Sequence, residues 1–264
     1  MTRLSRQPIA WLALAVLVAA PLADGAAAQD RKAEREARKR RNAALEVVNE
    51  HLLAYKTPDA RKELQPVYED AEASTLIAMG RVLEQEKKYG DADQKLRKAA
   101  ELQTDNPAPL IFLGESLTHQ EKKADAKKVF EQAAERAQTM IKLDAKSVTG
   151  HYYLGVAQRY LGQYGPAGDS LGLARELDPA NPMPVYQLGV LRTAQERWQP
   201  AVDLLTTAIG MESDIAYAYF FRGQAASKVG RMDMLIADFE RFLQMAPDSP
   251  EAPAVRRIVS SVRR

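Results

Sequence analysis

The chain has 264 residues, 46% of them hydrophobic and 27% charged, the ordinary make-up of a folded soluble protein with one large or two small domains. Cysteine is absent, which excludes disulfides, thiolate zinc sites and a lipidated cysteine anchor, so an exported chain of this composition must hold together by packing. The formal charge of +2 hides a polarity: residues 29–42 carry seven basic and three acidic groups and residues 250–264 four and one, while 43–249 carry 24 and 30, which makes the body a poor nucleic-acid surface and leaves two basic ends that read as solvated, with peripheral contact of the N-terminal one to anionic lipid, or of either to an acidic partner, as the alternative.

At the N-terminus, Arg3 and Arg6 precede an apolar run from Ile9 to Ala20, then Pro21 and the small-residue stretch DGAAAQD. This is the plan of a secretory signal peptide over residues 1–28, with Ala26-x-Ala28 offering a cut before Gln29. Twelve apolar residues rise only about 18 Å as a helix, short of a hydrocarbon core of roughly 30 Å, which argues against a retained span. Residues 29–72 predict a charged helical region of two helices, the second opening at Thr57-Pro58, with the character of a degenerate repeat unit.

From residue 73 the chain repeats itself. Gly80, Gly114, Gly155, Gly189 and Gly223 are separated by 34, 41, 34 and 34 residues. Twelve residues after each stands Ala92, Ala126, Ala167, Ala201 or Leu235, and seven further on Ala99, Ala133, Ala174, Ala208 or Phe242. Five units follow: 73–106, 107–147, 148–181, 182–215 and 216–249. Each holds two helical patterns divided by a break such as KKYGD, GQYGP or ERWQP. Pro166 and Pro200 fall in the first turn of second helices, where a missing N–H costs nothing. Asn106-Pro107, Asn181-Pro182 and Ser249-Pro250 read as N-caps followed by proline at the opening of first helices. No β-branched alternation competes, so the expectation is all-α.

On these residues, above all YYLG...A...LGLARELDP in the third unit, the chain resembles the tetratricopeptide-repeat family over residues 73–249. The resemblance implies a right-handed α-solenoid of stacked antiparallel helix pairs, in which small anchors let two helices approach and neighbouring pairs bury what one pair cannot. The sequence departs from the pattern at Arg222, Leu235 and Phe242, and the unit-end proline is present only at Pro179 and Pro247. The seven extra residues of the second unit equal two helical turns and predict a lengthened second helix. Residues 250–264 predict a C-terminal capping helix with Ala254, Ile258 and Val262 on one side and arginines elsewhere.

Two chemical signals are weighed against packing. GDSLG at Gly168–Gly172 has the letters of a nucleophile elbow, with Ser170 as a candidate serine-hydrolase nucleophile, yet it falls in the middle of a second helix where no strand enters. His51, His119 and His151 lack second ligands at metal spacing, and no phosphate loop or acid–base pair stands out, so no catalytic residue, metal or cofactor is expected.

In the repeat family the ligand usually lies on the concave side lined by first helices. Helical phase puts His151, Leu154, Gly155 and Gln158 on the face that meets the unit's own second helix, Tyr152 and Tyr160 about 100° around, and Tyr153 toward the edge or the next unit. Three residues before each anchor glycine the series reads Ile77, Ile111, Tyr152, Tyr186, Phe220, and Arg159, Tyr160 and Tyr217 extend it. Such a stripe suits a peptide or protein segment, although the same aromatics would also serve packing between units. The terminal-carboxylate clamp of chaperone-binding members is not expected, because the corresponding positions are mostly apolar. The sequence therefore predicts an exported, non-enzymatic interaction scaffold of a cell envelope, the bacterial periplasm first, with Tyr152, Arg159, Tyr160, Tyr186, Tyr217 and Phe220 as contacts. Its alternative is a structural assembly component that self-associates or docks on a membrane complex through its convex face and basic ends.

Overall fold

A computed structural model of the chain describes residues 25–54, 57–64 and 72–262. The signal-peptide reading falls on residues outside this set, apart from 25–28, which form the first turn of α1. The described residues form thirteen helices and no strand. A long α1 (Gly25–Leu53) and a short α2 (Thr57–Leu64) precede five helix pairs: α3 (Ala73–Gln85) with α4 (Tyr89–Leu102), α5 (Ala108–His119) with α6 (Lys123–Leu143), α7 (Val148–Tyr160) with α8 (Tyr164–Leu177), α9 (Pro182–Ala194) with α10 (Trp198–Met211), and α11 (Ala216–Lys228) with α12 (Met232–Met245). A last helix, α13 (Ala252–Val262), closes the array, and no helix among the described residues is long and apolar enough to cross a membrane.

The anchor glycines explain the pairing. A Cβ at Gly80, Gly155 or Gly189 would stand 2.6 Å from the Cγ of Leu96, Leu171 or Leu205, and at Gly114 or Gly223 it would meet the ring of Phe130 or Phe239 at 2.5 or 2.7 Å. In each unit, then, the first helix carries the hole and the second helix supplies a Leu or Phe sixteen residues later as the knob. Because α6 is 21 residues long where the other four second helices have 14, the insertion keeps the helical face and leaves Leu143 at its tip 84% exposed.

Successive first helices α3, α5, α7, α9 and α11 touch one another, whereas no comparable contact joins successive second helices among the described residues. The array therefore curves with the first helices inside. Asn181 Oδ1 caps α9 by accepting from Met183 N at 3.0 Å, and Asn106 Oδ1 accepts from Ala108 N at 2.9 Å. Ser249 does not act as its sequence suggests: its hydroxyl is buried without a hydrogen-bond partner.

At the N-terminal end, α1 and α2 pack on α3 through Val48, Leu52, Ala60 and Leu64. Arg61 bonds Glu86 in a fork, and Arg41 meets Glu72 at 2.5 Å. At the other end, α13 opens 36 residues after α11, close to the 34-residue register of a first helix, with Ala252 and Val255 buried. Ala254, Ile258 and Val262, read as sharing one side of this helix, are all exposed. Arg257 occupies the anchor-glycine register and Arg256 the residue before it, both exposed, so no second helix could approach closely there.

Candidate functional site

The concave face gathers side chains from four first helices into one cluster. Tyr160 of α7 is its centre: its ring stacks on Phe130 at 4.3 Å and 4°, and the Arg159 guanidinium lies 4.0 Å from the ring centroid. Its hydroxyl donates to Glu115 Oε1 of α5 at 3.0 Å. Arg81 of α3 lies 4.7 Å over the Phe112 ring and donates to Asn49 Oδ1 at 2.7 Å, which ties the groove to α1. Tyr152 meets Tyr153 edge-on with centroids 5.0 Å apart, and Gln187 of α9 lies close enough to lower the proton affinity of its phenol. Tyr186, half-buried on α9, completes the row within electrostatic reach of Arg159 and Tyr160.

Electrostatics here are those of a crowded floor. Burial raises the Glu115 carboxyl above its ordinary value, with Arg159 and the Tyr160 hydroxyl opposing that shift. Burial also pushes the Tyr152 phenol up to about 12 and holds Tyr160 and Tyr186 protonated and neutral. At the rim, His119 bonds Glu84 through Nδ1, and this carboxylate raises the imidazole's affinity for a proton. Two polar atoms in the row have no hydrogen-bond partner, Arg159 Nε and Gln187 Oε1.

Of the six residues singled out in the sequence, Tyr152, Arg159, Tyr160 and Tyr186 come together here. Tyr217 and Phe220 belong to a separate cluster in the last unit: Tyr217 Oη donates to Glu251 Oε2 at 2.6 Å, and Phe220 stacks on Phe239 at 6.0 Å and 16°. Tyr153, expected at the edge or toward the next unit, is 4% exposed and turned toward the preceding units, within reach of Arg81. Sequence reasoning missed Arg81, Glu84, Glu115 and His119 and treated this face as mostly apolar. The available signal was that Arg81 and Glu115 each directly follow an anchor glycine, one helical step from the tyrosine series.

Ser170 sits inside α8, where its hydroxyl donates to Gln158 Oε1 at 2.9 Å. His151 is 8% exposed and donates through Nε2 to the Ala145 carbonyl at 3.0 Å. The two residues line a shallow cavity of about 410 Å³ between α6, α7 and α8, away from the groove, floored by Ile141, Leu154 and Leu173. The strand that a nucleophile elbow requires is absent among the described residues, as is any cluster of three or more metal-ligating side chains.

Residues 216–249 match the family model described as tetratricopeptide repeat. No curated protein matches the chain in sequence. Among solved structures, a thermophilic TPR protein of Thermus thermophilus superposes with a TM-score of 0.55 at 18% identity, covering 72% of this chain and 97% of that one. The APC/C hetero-tetramer Cut9–Hcn1 matches with a TM-score of 0.56 at 17% identity, over 84% of this chain and 42% of the matched chain. At these identities the likeness is one of fold.

Proposed function

We propose that this tetratricopeptide-repeat solenoid is a non-enzymatic interaction scaffold that holds a peptide or protein segment in its concave groove, and that it does so in a cell envelope after export. The observation that supports the groove most is the makeup of its floor. A face serving packing alone gains nothing from Arg81, Glu84, Glu115 and Arg159 set among tyrosines, since each charge costs desolvation. Partly exposed aromatic rings beside charged groups suit a ligand that brings both apolar area and hydrogen-bonding groups. Tyrosine adds contact area at little rotamer cost, and the Phe130–Tyr160–Arg159 stack holds one ring in place before any ligand arrives. Export is supported by the basic-apolar-small order of residues 1–28.

Affinity capture from a cell-envelope extract tests this reading, comparing the native chain with the double variant Arg159→Ala, Tyr186→Ala after matching their thermal unfolding. The expected result is loss of the captured partners to about a tenth or less. Equal capture by both chains would show that the groove is not the contact surface.

A further inference from the structure

The groove register does not stop at the fifth unit. The residues three before, one after and five after the anchor position share one helical face; in α7 these are Tyr152, Val156 and Tyr160, of which the two tyrosines are half-exposed on the inner face and Val156 is buried beneath them. Counting 34 residues on from Gly223 places the anchor register at Arg257, and the same three positions on α13 are Ala254, Ile258 and Val262. All three are exposed, Ile258 at 40% and Val262 at 39%. Meanwhile the positions that would meet a second helix carry Pro253, Arg256, Arg257 and Ser260, all exposed and without one. A helix serving only to solvate the end of the array would be polar at both sets of positions; α13 is polar at one and aliphatic at the groove-lining one. Charge sharpens the contrast, since residues 250–264 hold four arginines and one acid.

We infer that α13 extends the binding groove by one helix and forms an aliphatic seat for one end of a bound peptide, whose apolar residues there are accompanied by carboxylates that pair with the flanking arginines. This rests on the groove reading above. The ligand is therefore a segment with an aliphatic, acidic end on α13 and a polar or aromatic end over Tyr152 and Tyr186. A second copy of the chain is a poor occupant, because both of its ends are basic and would repel.

The test uses a random library of roughly 12-residue displayed peptides, selected on the full chain and re-measured against Ile258→Asn with Val262→Asn (I258N/V262N) and, separately, Tyr186→Ala. Both asparagines replace exposed side chains and add no charge, so unfolding temperature should stay unchanged and serve as the folding control. The expected result is selected peptides enriched in an aliphatic-acidic stretch, weakened about tenfold or more by I258N/V262N and also weakened by Tyr186→Ala. Peptides sensitive to Tyr186→Ala and indifferent to I258N/V262N would leave the groove standing and overturn its extension onto α13. Peptides sensitive to neither, or no selection at all, would overturn both. If I258N/V262N instead abolishes binding to vesicles of equal phosphatidylcholine and phosphatidylglycerol, or dissociates a dimer seen by light scattering, the stripe serves a membrane or a second copy and the inference falls.

Discussion

Arg222 stands where the four earlier units carry Met79, Leu113, Leu154 and Leu188, each next to an anchor glycine and turned to its own second helix. Its fork to Asp238 explains the departure: Nε donates to Oδ2 at 2.8 Å and Nη2 to Oδ1 at 2.6 Å, with side chains only 14% and 4% exposed. Sixteen residues separate the partners, and at the same spacing in the fourth unit Leu188 and Leu204 belong to one apolar cluster, so equivalent positions carry charges once and hydrocarbon once. Arg222→Leu alone should cost about 3–5 kcal/mol by stranding the buried Asp238, whereas Arg222→Leu with Asp238→Leu should be neutral or stabilising. Urea denaturation of the two single variants and the double variant measures the coupling, and additive effects would contradict it. In the sequence, Arg222 read only as a lapse from the pattern, because its partner lies on another helix.

Helix α8 is the soft element by composition, with Gly165, Gly168 and Gly172 within fourteen residues. Packing does not compensate: a Cβ at Gly165 or Gly172 would meet nothing within 4 Å, and at Gly168 it would make ordinary contact with Leu191. Gly172→Ala should therefore stabilise the protein by about 1 kcal/mol. Gly155→Ala on the facing helix should destabilise it by about 1–3 kcal/mol, because its Cβ would sit 2.6 Å from Leu171 Cγ and 3.1 Å from the Ala167 carbonyl. Urea midpoints moving in opposite directions would bear this out, and shifts of the same sign would refute it. These two glycines look alike in the string of letters, and only the repeat phase separates them. The turns between paired helices were less legible. Lys87, Glu121, Gly162, Glu196 and Gly230 stand seven residues after their anchors with φ of 62°, 61°, 74°, 57° and 77°, yet three of the five are charged residues that announce no left-handed conformation.

At the scale of the whole molecule, charges from separate units meet on the inner face and link stability to pH. The bond from Glu84 raises the His119 value in the folded state, so that pair stabilises fully below the unfolded histidine value of about 6.5 and loses its contribution as pH rises through the raised value. Glu115 is raised by burial, so its ionised form weakens the fold at neutral pH and the cost is relieved as pH falls toward the unfolded carboxyl value. For Glu86, burial pushes the value up, but the bonds from Arg61 and Lys88 win and hold it low; its contribution is present above the unfolded value and is lost only in acid, outside this window. The protein should therefore be more stable near pH 6 than near pH 8, and Glu84→Gln together with Glu115→Gln should flatten that slope. Thermal unfolding across the range checks it; an unchanged slope in the double variant would place the linkage elsewhere.

What the sequence determined by itself is the periodic part: the helix pairs, the anchor glycines, the two added turns of α6 and the inward phase of Tyr152 and Tyr186. These follow from spacing along one chain, since 34 residues per unit and 3.6 per turn fix which side chains share a face. Which inward residues meet was left to the tertiary structure: Tyr160 with Phe130 and Glu115, Arg81 with Asn49 and Phe112, and Tyr217 with Glu251. It also decided that Ile258 and Val262 face solvent at the groove register while Val255 is buried against the array. The physical reason is that periodicity specifies direction around one helix axis, whereas contact depends on how neighbouring helices are displaced against each other, and that displacement is set by the knob each anchor glycine receives.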